Sequence, residues 1–227
     1  CVFSDTITER IIDSDPESTI DYDLEPVLIN TATATETTDK LPTALSYVKK
    51  AASASDGVKA GIGLVPEDRK RHGALLTNSI KNNISMPIYE RISKLSVINS
   101  KVEVQTAEKY REEIKIKCPT IKQLVKNLSG GNQQKVVVAK VLAAQTEILI
   151  FDEPTRGIDV GAKQEIYQLM NELIEQGFSI IMISSEMEEL LGMSDRVMVL
   201  YEGRIMGELQ KDEFSQSRVL ELASGIA

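Results

Sequence analysis

The chain of 227 residues is 42% hydrophobic and 26% charged, enough apolar material for one good-sized α/β domain or two small ones. Aromatic residues make up only 4% and Trp is absent, so the core must be built from Leu, Ile, Val and Met; no apolar run approaches the length of a membrane-spanning helix. Two cysteines, Cys1 and Cys118, and one histidine, His72, exclude a disulfide framework, a Cys/His metal quartet and a histidine general base, and fit a reducing cytoplasm.

Residues 1–56 hold eleven acids against Arg10, Lys40, Lys49 and Lys50, which accounts for seven of the eight net negative charges. The remainder is close to neutral and shows no basic patch, so no nucleic-acid partner is expected. The chain opens on Cys1 with no charged-then-apolar leader, which reads as a fragment without a signal peptide. Residues 1–40 are rich in Thr, Ser, Asp and Glu. Pro26-Val-Leu-Ile-Asn30 reads as a short strand, Thr31 to Thr38 as a polar strand or loop, and Pro42 to Ala54 as a helix with Leu45 and Val48 on one face.

At Gly57 the character changes. Val58 to Val65, ending at Pro66, reads as a buried strand. His72, in Arg69-Lys-Arg-His-Gly73, reads as a solvated loop residue, and the same basic run is able to touch phosphate or the partner cassette. Residues 77–127 are mainly helical, with Asn78 or Ser79 as a cap before Ile80 and Ile84, a longer helix over 100–116, and Pro119 closing the stretch. Beyond Ser129 the elements alternate: a helix over 132–144, a strand over 147–151, a helix from Ala162 to Gln176 ended by Gly177, and a strand from Phe178 to Ile183. A short helix over 186–192 and a hairpin around Glu202-Gly203 complete the pattern. Strand and helix in this rhythm predict an α/β fold with a mainly parallel sheet flanked by helices. Met182, Met187, Met193, Met198 and Met206 read as core filler, and Cys118 as a small buried hydrophobe.

Three clusters carry chemistry. Ile148-Leu-Ile-Phe-Asp-Glu-Pro154 places two carboxylates at the C-terminal tip of a buried strand, where ligands bind in open α/β sheets. There Asp152 can hold Mg²⁺, directly or through water, and Glu153 can orient or deprotonate a water. Leu128-Ser-Gly-Gly-Asn-Gln-Gln134 sets a hydroxyl and unobstructed backbone amides at a helix start, an anion site suited to a terminal phosphate. Ser184-Ser-Glu186 follows the next strand.

In that order and spacing, the first two clusters resemble the signature motif and Walker B of an ATP-binding cassette (ABC) ATPase. With Val65-Pro-Glu-Asp-Arg-Lys-Arg71, Asp152 to Lys163 and Ser184 to Met187, the resemblance narrows to the second cassette of the double-cassette ATPases of bacterial ribose-, galactose- and xylose-type importers. It runs from about Gly57 to Ala227. The resemblance implies a P-loop-NTPase-like core over 57–227, with 77–127 as the helical subdomain that docks on the permease and 128–227 as the signature and Walker B core. Ser129, Gly130 and Gly131, with Gln133 in the same stretch, would meet the γ-phosphate of ATP held by the opposite cassette. Asp152 would stand on the Mg²⁺ shell and Glu153 would orient water. Arg156 to Asp159 would be the D-loop, Glu67 would stand at the Q-loop glutamine, and Ser185 at the switch histidine.

The expected partners are membrane permease subunits, a second cassette and, indirectly, a periplasmic or lipoprotein sugar-binding protein, on the cytoplasmic face of the membrane. The expected chemistry is ATP hydrolysis coupled to monosaccharide uptake. One part of the pattern is missing. Residues 1–60 contain a single glycine, Gly57, so no Gly-x-x-x-x-Gly-Lys-[Ser/Thr] loop can be built there, and neither Tyr22 nor Tyr47 stands in an adenine-stacking context. The domain is therefore expected to be incomplete on its N-terminal side and unable to bind ATP alone. The alternative is a non-catalytic regulatory or assembly module built on a cassette remnant; a chromosome-maintenance type is disfavoured by the absence of heptad helices and DNA-attracting charge.

Overall fold

The computed structural model describes residues 53–225. The expected strand at 26–30, the polar stretch 31–38 and nearly all of the helix expected over 42–54 lie outside the described residues. Ser53 caps a short helix, α1 (Ala54–Lys59), by accepting from the Asp56 amide at 3.3 Å. This helix runs through Gly57 and removes Val58 and Lys59 from the expected strand. The strand β1 is only Ile62–Val65, entered through Gly61 at φ +80. Side-chain fate explains the difference: Val58 is exposed, whereas Ile62 and Val65 are buried.

The basic run Arg69–Gly73 forms one wide π-type helical turn rather than a loop. Next come α2 (Ile80–Ser85), capped by Ser79 on the Asn82 amide at 3.1 Å, a 3-10 turn at Met86–Ile88, and α3 (Tyr89–Ile92). Two short antiparallel strands that the sequence did not announce, β2 (Ser93–Lys94) and β3 (Val97–Ile98), lead into α4 (Ser100–Glu113). These helices lean on α5 (Gly130–Ala143): the Tyr110 hydroxyl donates to the Leu142 carbonyl at 3.0 Å and Arg91 to that of Ala143 at 3.1 Å.

The rest follows the expected alternation: β4 (Ile148–Asp152), α6 (Val160–Glu175), β5 (Ser179–Ile183), α7 (Met187–Met193), then the hairpin β6 (Arg196–Tyr201) and β7 (Arg204–Gln210). Its turn residues Glu202 and Gly203 both have positive φ (+47 and +72), the sign that suits the twist of a two-residue hairpin loop. A final helix, α8 (Gln216–Ala223), was not read from the sequence; it packs Val219 and Leu222 against the hairpin, where a Cβ on Gly207 would come within 2.9 Å of Leu222.

β4 lies between β1 and β5 and runs parallel to both, with Leu149 opposite Gly63 and Ile180, and Phe151 opposite Val65 and Met182. Strand alternation splits these side chains between two layers. Leu149, Phe151, Ile180 and Met182 join Val136, Val138, Ile166 and Leu173 of α5 and α6 in the main core. Ile62, Ile148, Ile150, Ile181 and Ile183 form a second layer, covered partly by Met198 and Leu200. Among the described residues no helix is long and apolar enough to cross a membrane.

Charge joins the segment after α4 to the core. Glu165 on α6 is gripped by Lys117 at 2.7 Å and by the buried Lys135 of α5 at 2.6 Å, and these hydrogen bonds hold its carboxyl at about 2 instead of 4.5. A carboxyl depressed by folding stabilises in full above pH 4.5 and loses that contribution as pH falls toward 2. The thermal midpoint of Glu165→Gln should therefore lie below wild type near neutrality and approach it as pH drops through that window. A gap unchanged across the window in circular dichroism melts would refute this.

Candidate functional site

Three parallel strands end side by side, and the loops leaving their C-terminal tips carry most of the residues singled out by sequence. At the tip of β4, Asp152 and Glu153 are both buried. Glu153 leaves the strand at φ +45, a left-handed conformation that costs a non-glycine residue energy unless its surroundings impose it. Here they do: its amide donates to the Ile183 carbonyl at 2.9 Å, and its Oε1 accepts from the Ser185 amide at 2.7 Å. The structure thus brings Glu153 and Ser185 together at the ends of adjacent strands.

The start of α5 is the second part. Ser129 is its exposed N-cap, yet the hydroxyl caps no backbone amide of the helix and accepts instead from the Asn132 side chain, through Nδ2 at 3.0 Å. The first amides of α5 are left uncapped by that side chain, at the end of the helix that carries partial positive charge. The two glycines serve separate packing needs. A Cβ on Gly130 would lie 3.0 Å from the Arg69 guanidinium, and one on Gly131 would lie 2.8 Å from the Cβ of Ala162 on α6. Gln133 stands apart from the other expected ligands. It falls on the inward face of α5, one turn before Val136 and Val137, and its amide donates to the carbonyls of Val125 (3.3 Å) and Leu128 (3.1 Å). It braces the loop that enters the serine–glycine turn, so no ligand role is carried forward for it.

The third part is the turn 156–159, with Asp159 capping α6 through the Ala162 amide at 3.0 Å. Arg69 holds this turn. Its guanidinium is buried and donates to the carbonyls of Arg156 and Gly157, both at 3.1 Å, while Gly130 lies against it. Sequence reasoning read His72 of this basic run as solvated and gave Arg69 no separate role. His72 and Arg71 are exposed, whereas Arg69 is buried. Glu67 pairs with the Arg156 side chain, so the expected Q-loop position and the expected D-loop are joined directly. A second residue missed from sequence is Glu189 on α7, a buried carboxylate among hydroxyl donors. Its only sequence signal was an acid one place before the apolar Leu190 in a short helix.

Among the described residues no group of three or more His, Cys, Asp and Glu side chains could hold a metal ion. Asp152 beside Glu153 suits an ion that keeps most of its waters and shares phosphate oxygens, as Mg²⁺ does. The uncapped start of α5 suits the phosphate itself.

Comparison with known proteins bears on this geometry. The ABC transporter family profile matches residues 26–156. The chain is 54% identical over 171 residues to the xylose import ATP-binding protein XylG of Thermoanaerobacter pseudethanolicus, covering 75% of this chain and 34% of that protein. It is 49% identical over 170 residues to the ribose import ATP-binding protein RbsA of Bacillus cereus, again covering 75% and 34%. The chain thus spans about a third of the length of the curated relatives it matches. Among solved structures, a dimeric post-hydrolysis state of an ATP-binding cassette bound to ADP and Pi superposes with a TM-score of 0.59 at 18% identity, over 74% of this chain and 71% of that one. At that identity the likeness is one of fold.

Replacing Arg69 with Ala strips two carbonyls of a charged donor in a part-buried setting, and the expected loss is about 1–3 kcal/mol of unfolding free energy. Arg69→Lys should recover only part, because one ammonium cannot span both carbonyls as a fork does. Urea denaturation checks this, and an unchanged midpoint for Arg69→Ala would refute the clamp.

Proposed function

The chain belongs to the ABC transporter family, and from that premise we propose that it is the ATP-binding-cassette part of a monosaccharide importer, acting on nucleotide together with a second cassette. One observation carries the reading. Arg69 and Glu67 hold the turn 156–159 with the start of α5 packed against Arg69, and Ser185 holds Glu153 beside the buried Asp152 at the strand tips. Uncapped backbone donors at a helix start suit a terminal phosphate of ATP, and carboxylates at a strand tip suit the ion that accompanies it.

In this reading Ser129 and the amides of Gly130 and Gly131 receive the γ-phosphate of ATP held by the opposite cassette. Asp152 would help hold Mg²⁺, which when bound would offset negative charge on the phosphates. Glu153, fixed by the Ser185 amide, orients the water whose oxygen forms the new bond to phosphorus as the bond to ADP breaks. Ser185 stands where a switch histidine is expected and offers a hydroxyl without a titratable ring. Asp159 keeps the communicating turn in place by capping α6. Residues 77–127 supply the permease-facing surface at the inner face of the membrane, and a separate sugar-binding protein and the permease set the choice of sugar, with xylose and ribose named for its relatives.

No Gly-x-x-x-x-Gly-Lys-[Ser/Thr] loop occurs in the 227 residues, so the β- and γ-phosphates have no cradle of that kind within this chain. It is therefore expected to bind ATP only in an assembly with a cassette that carries the loop. Calorimetric titration of the isolated chain should give no micromolar binding, and a micromolar affinity would overturn the partner dependence. In the assembly, Ser129→Ala removes a hydrogen bond to a charged group and should lower turnover roughly 10- to 100-fold. Turnover equal to wild type would remove Ser129 from the phosphate site.

A further inference from the structure

Glu153 poses a mechanical question. It sits at φ +45, and one polar anchor of its side chain is the Ser185 amide, which belongs to an exposed loop. A strained residue persists only where its neighbours over-determine it. Something must hold the segment 184–186 on one side and the chain leaving Glu153 on the other.

Both are held by the same group. Glu189 of α7 is 4% exposed, and its two carboxylate oxygens receive three hydroxyls. Oε1 accepts from Thr155, two residues beyond Glu153, and from the Tyr167 hydroxyl of α6 at 2.6 Å. Oε2 accepts from Ser184 at 2.8 Å, next to Ser185. The Ser184 hydroxyl in turn accepts from the Glu186 amide at 3.1 Å, which closes the loop on itself. Lys163 of α6 binds the Glu186 carboxylate and lies 3.6 Å from Glu189, supplying the positive charge that a buried carboxylate requires. Thr155 and Ser184 are themselves almost fully buried, so neither hydroxyl has water as a substitute partner.

We propose that Glu189 is the positioning residue of the site: by tying Thr155 and Ser184 to one carboxylate it fixes the strained Glu153 and keeps the Ser185 amide on its Oε1. Its action is indirect, since it touches the residues flanking Glu153 and Ser185. The inference deepens the reading of Glu153 as the water-orienting group and rests on it. The arrangement also specifies a carboxylate. Three O–H donors converge on two oxygens, and an amide at this place would keep one acceptor oxygen, so in either orientation at least one hydroxyl would lose its acceptor.

The test reads the hydrogen bond itself, in the full chain and without nucleotide. Amide exchange is followed by NMR at Ser185 and, as a measure of global opening, at Leu149 and Ile180 in the sheet. Glu189→Ala should speed exchange at Ser185 about tenfold or more, as expected for loss of a bond to a charged acceptor, while Leu149 and Ile180 keep their protection. Glu189→Gln should fall between the two, and the exposed neighbour substituted as Glu188→Gln should match wild type. Should Glu189→Ala fail to fold, Thr155→Val and Ser184→Ala each remove one arm, and each should raise exchange at Ser185 by less. Ser185 exchange equal to wild type in these variants, or rising only in step with Leu149 and Ile180, would overturn the proposal. Because no ATP is present, a failure of the nucleotide reading in turnover assays is seen separately from a failure of this hydrogen-bond chain.

Discussion

The hydrogen-bonded register of β4 between β1 and β5 is the constraint on which the molecule depends. It aligns Asp152 with Ile183 and Phe151 with Val65, so the chain leaves all three strands at one edge. Parallel strands buried on both faces cannot slip without moving alternate isoleucines, leucines and Phe151 from one apolar layer into the other. Everything polar at the edge inherits its coordinates from that packing. The Ser185 amide meets Glu153 because Ile183 and Asp152 are paired, and Arg69 reaches the turn 156–159 because β1 ends beside β4.

Buried polar groups then convert proximity into rigidity. Arg69, Lys135 and Glu189 are each almost wholly removed from solvent, and each joins segments distant in sequence. Arg69 links the chain after β1 to the turn before α6, Lys135 links α5 to α6, and Glu189 links the chain after β4 to the chain after β5. Desolvation makes such groups costly unless paired, and the same low-dielectric setting gives their hydrogen bonds directional force. The fork of Arg69 and the carboxylate of Glu189 are the pair that define the candidate phosphate edge.

The segment 77–127 is tied to the core by different means. Its apolar residues Ile80, Ile84 and Ile88 join the main cluster, and its outer connections are ionic, Lys115 to Glu172 and Lys117 to Glu165 on α6. Contacts of this kind are screened by salt and titrate with acid, whereas the sheet beneath them is aliphatic. The two parts of the domain are therefore expected to respond differently to solvent conditions even though they share one core.

Local sequence sufficed wherever a periodic apolar pattern met a cap. Ser79 before Ile80, the stripe Ile166, Leu169, Met170 and Leu173 ended by Gly177, and Glu202-Gly203 in the hairpin all carry their own geometric instructions. Ser129, Asp152 and Glu153 stood out in the sequence because a hydroxyl beside free amides and a carboxylate pair at a strand end suit phosphate and its ion, and Ser185 stood out through the resemblance to the cassette family. Tertiary contact decided the rest. Val58 left the strand because its side chain had no layer to enter, α8 formed because the hairpin offered Leu222 a place over Gly207, and Gln133 turned inward because its position on α5 faces the core. Arg69 and Glu189 were invisible for the same reason: an arginine in a basic run and a glutamate in an acidic one look solvated until distant loops bring them carbonyls and hydroxyls to bind.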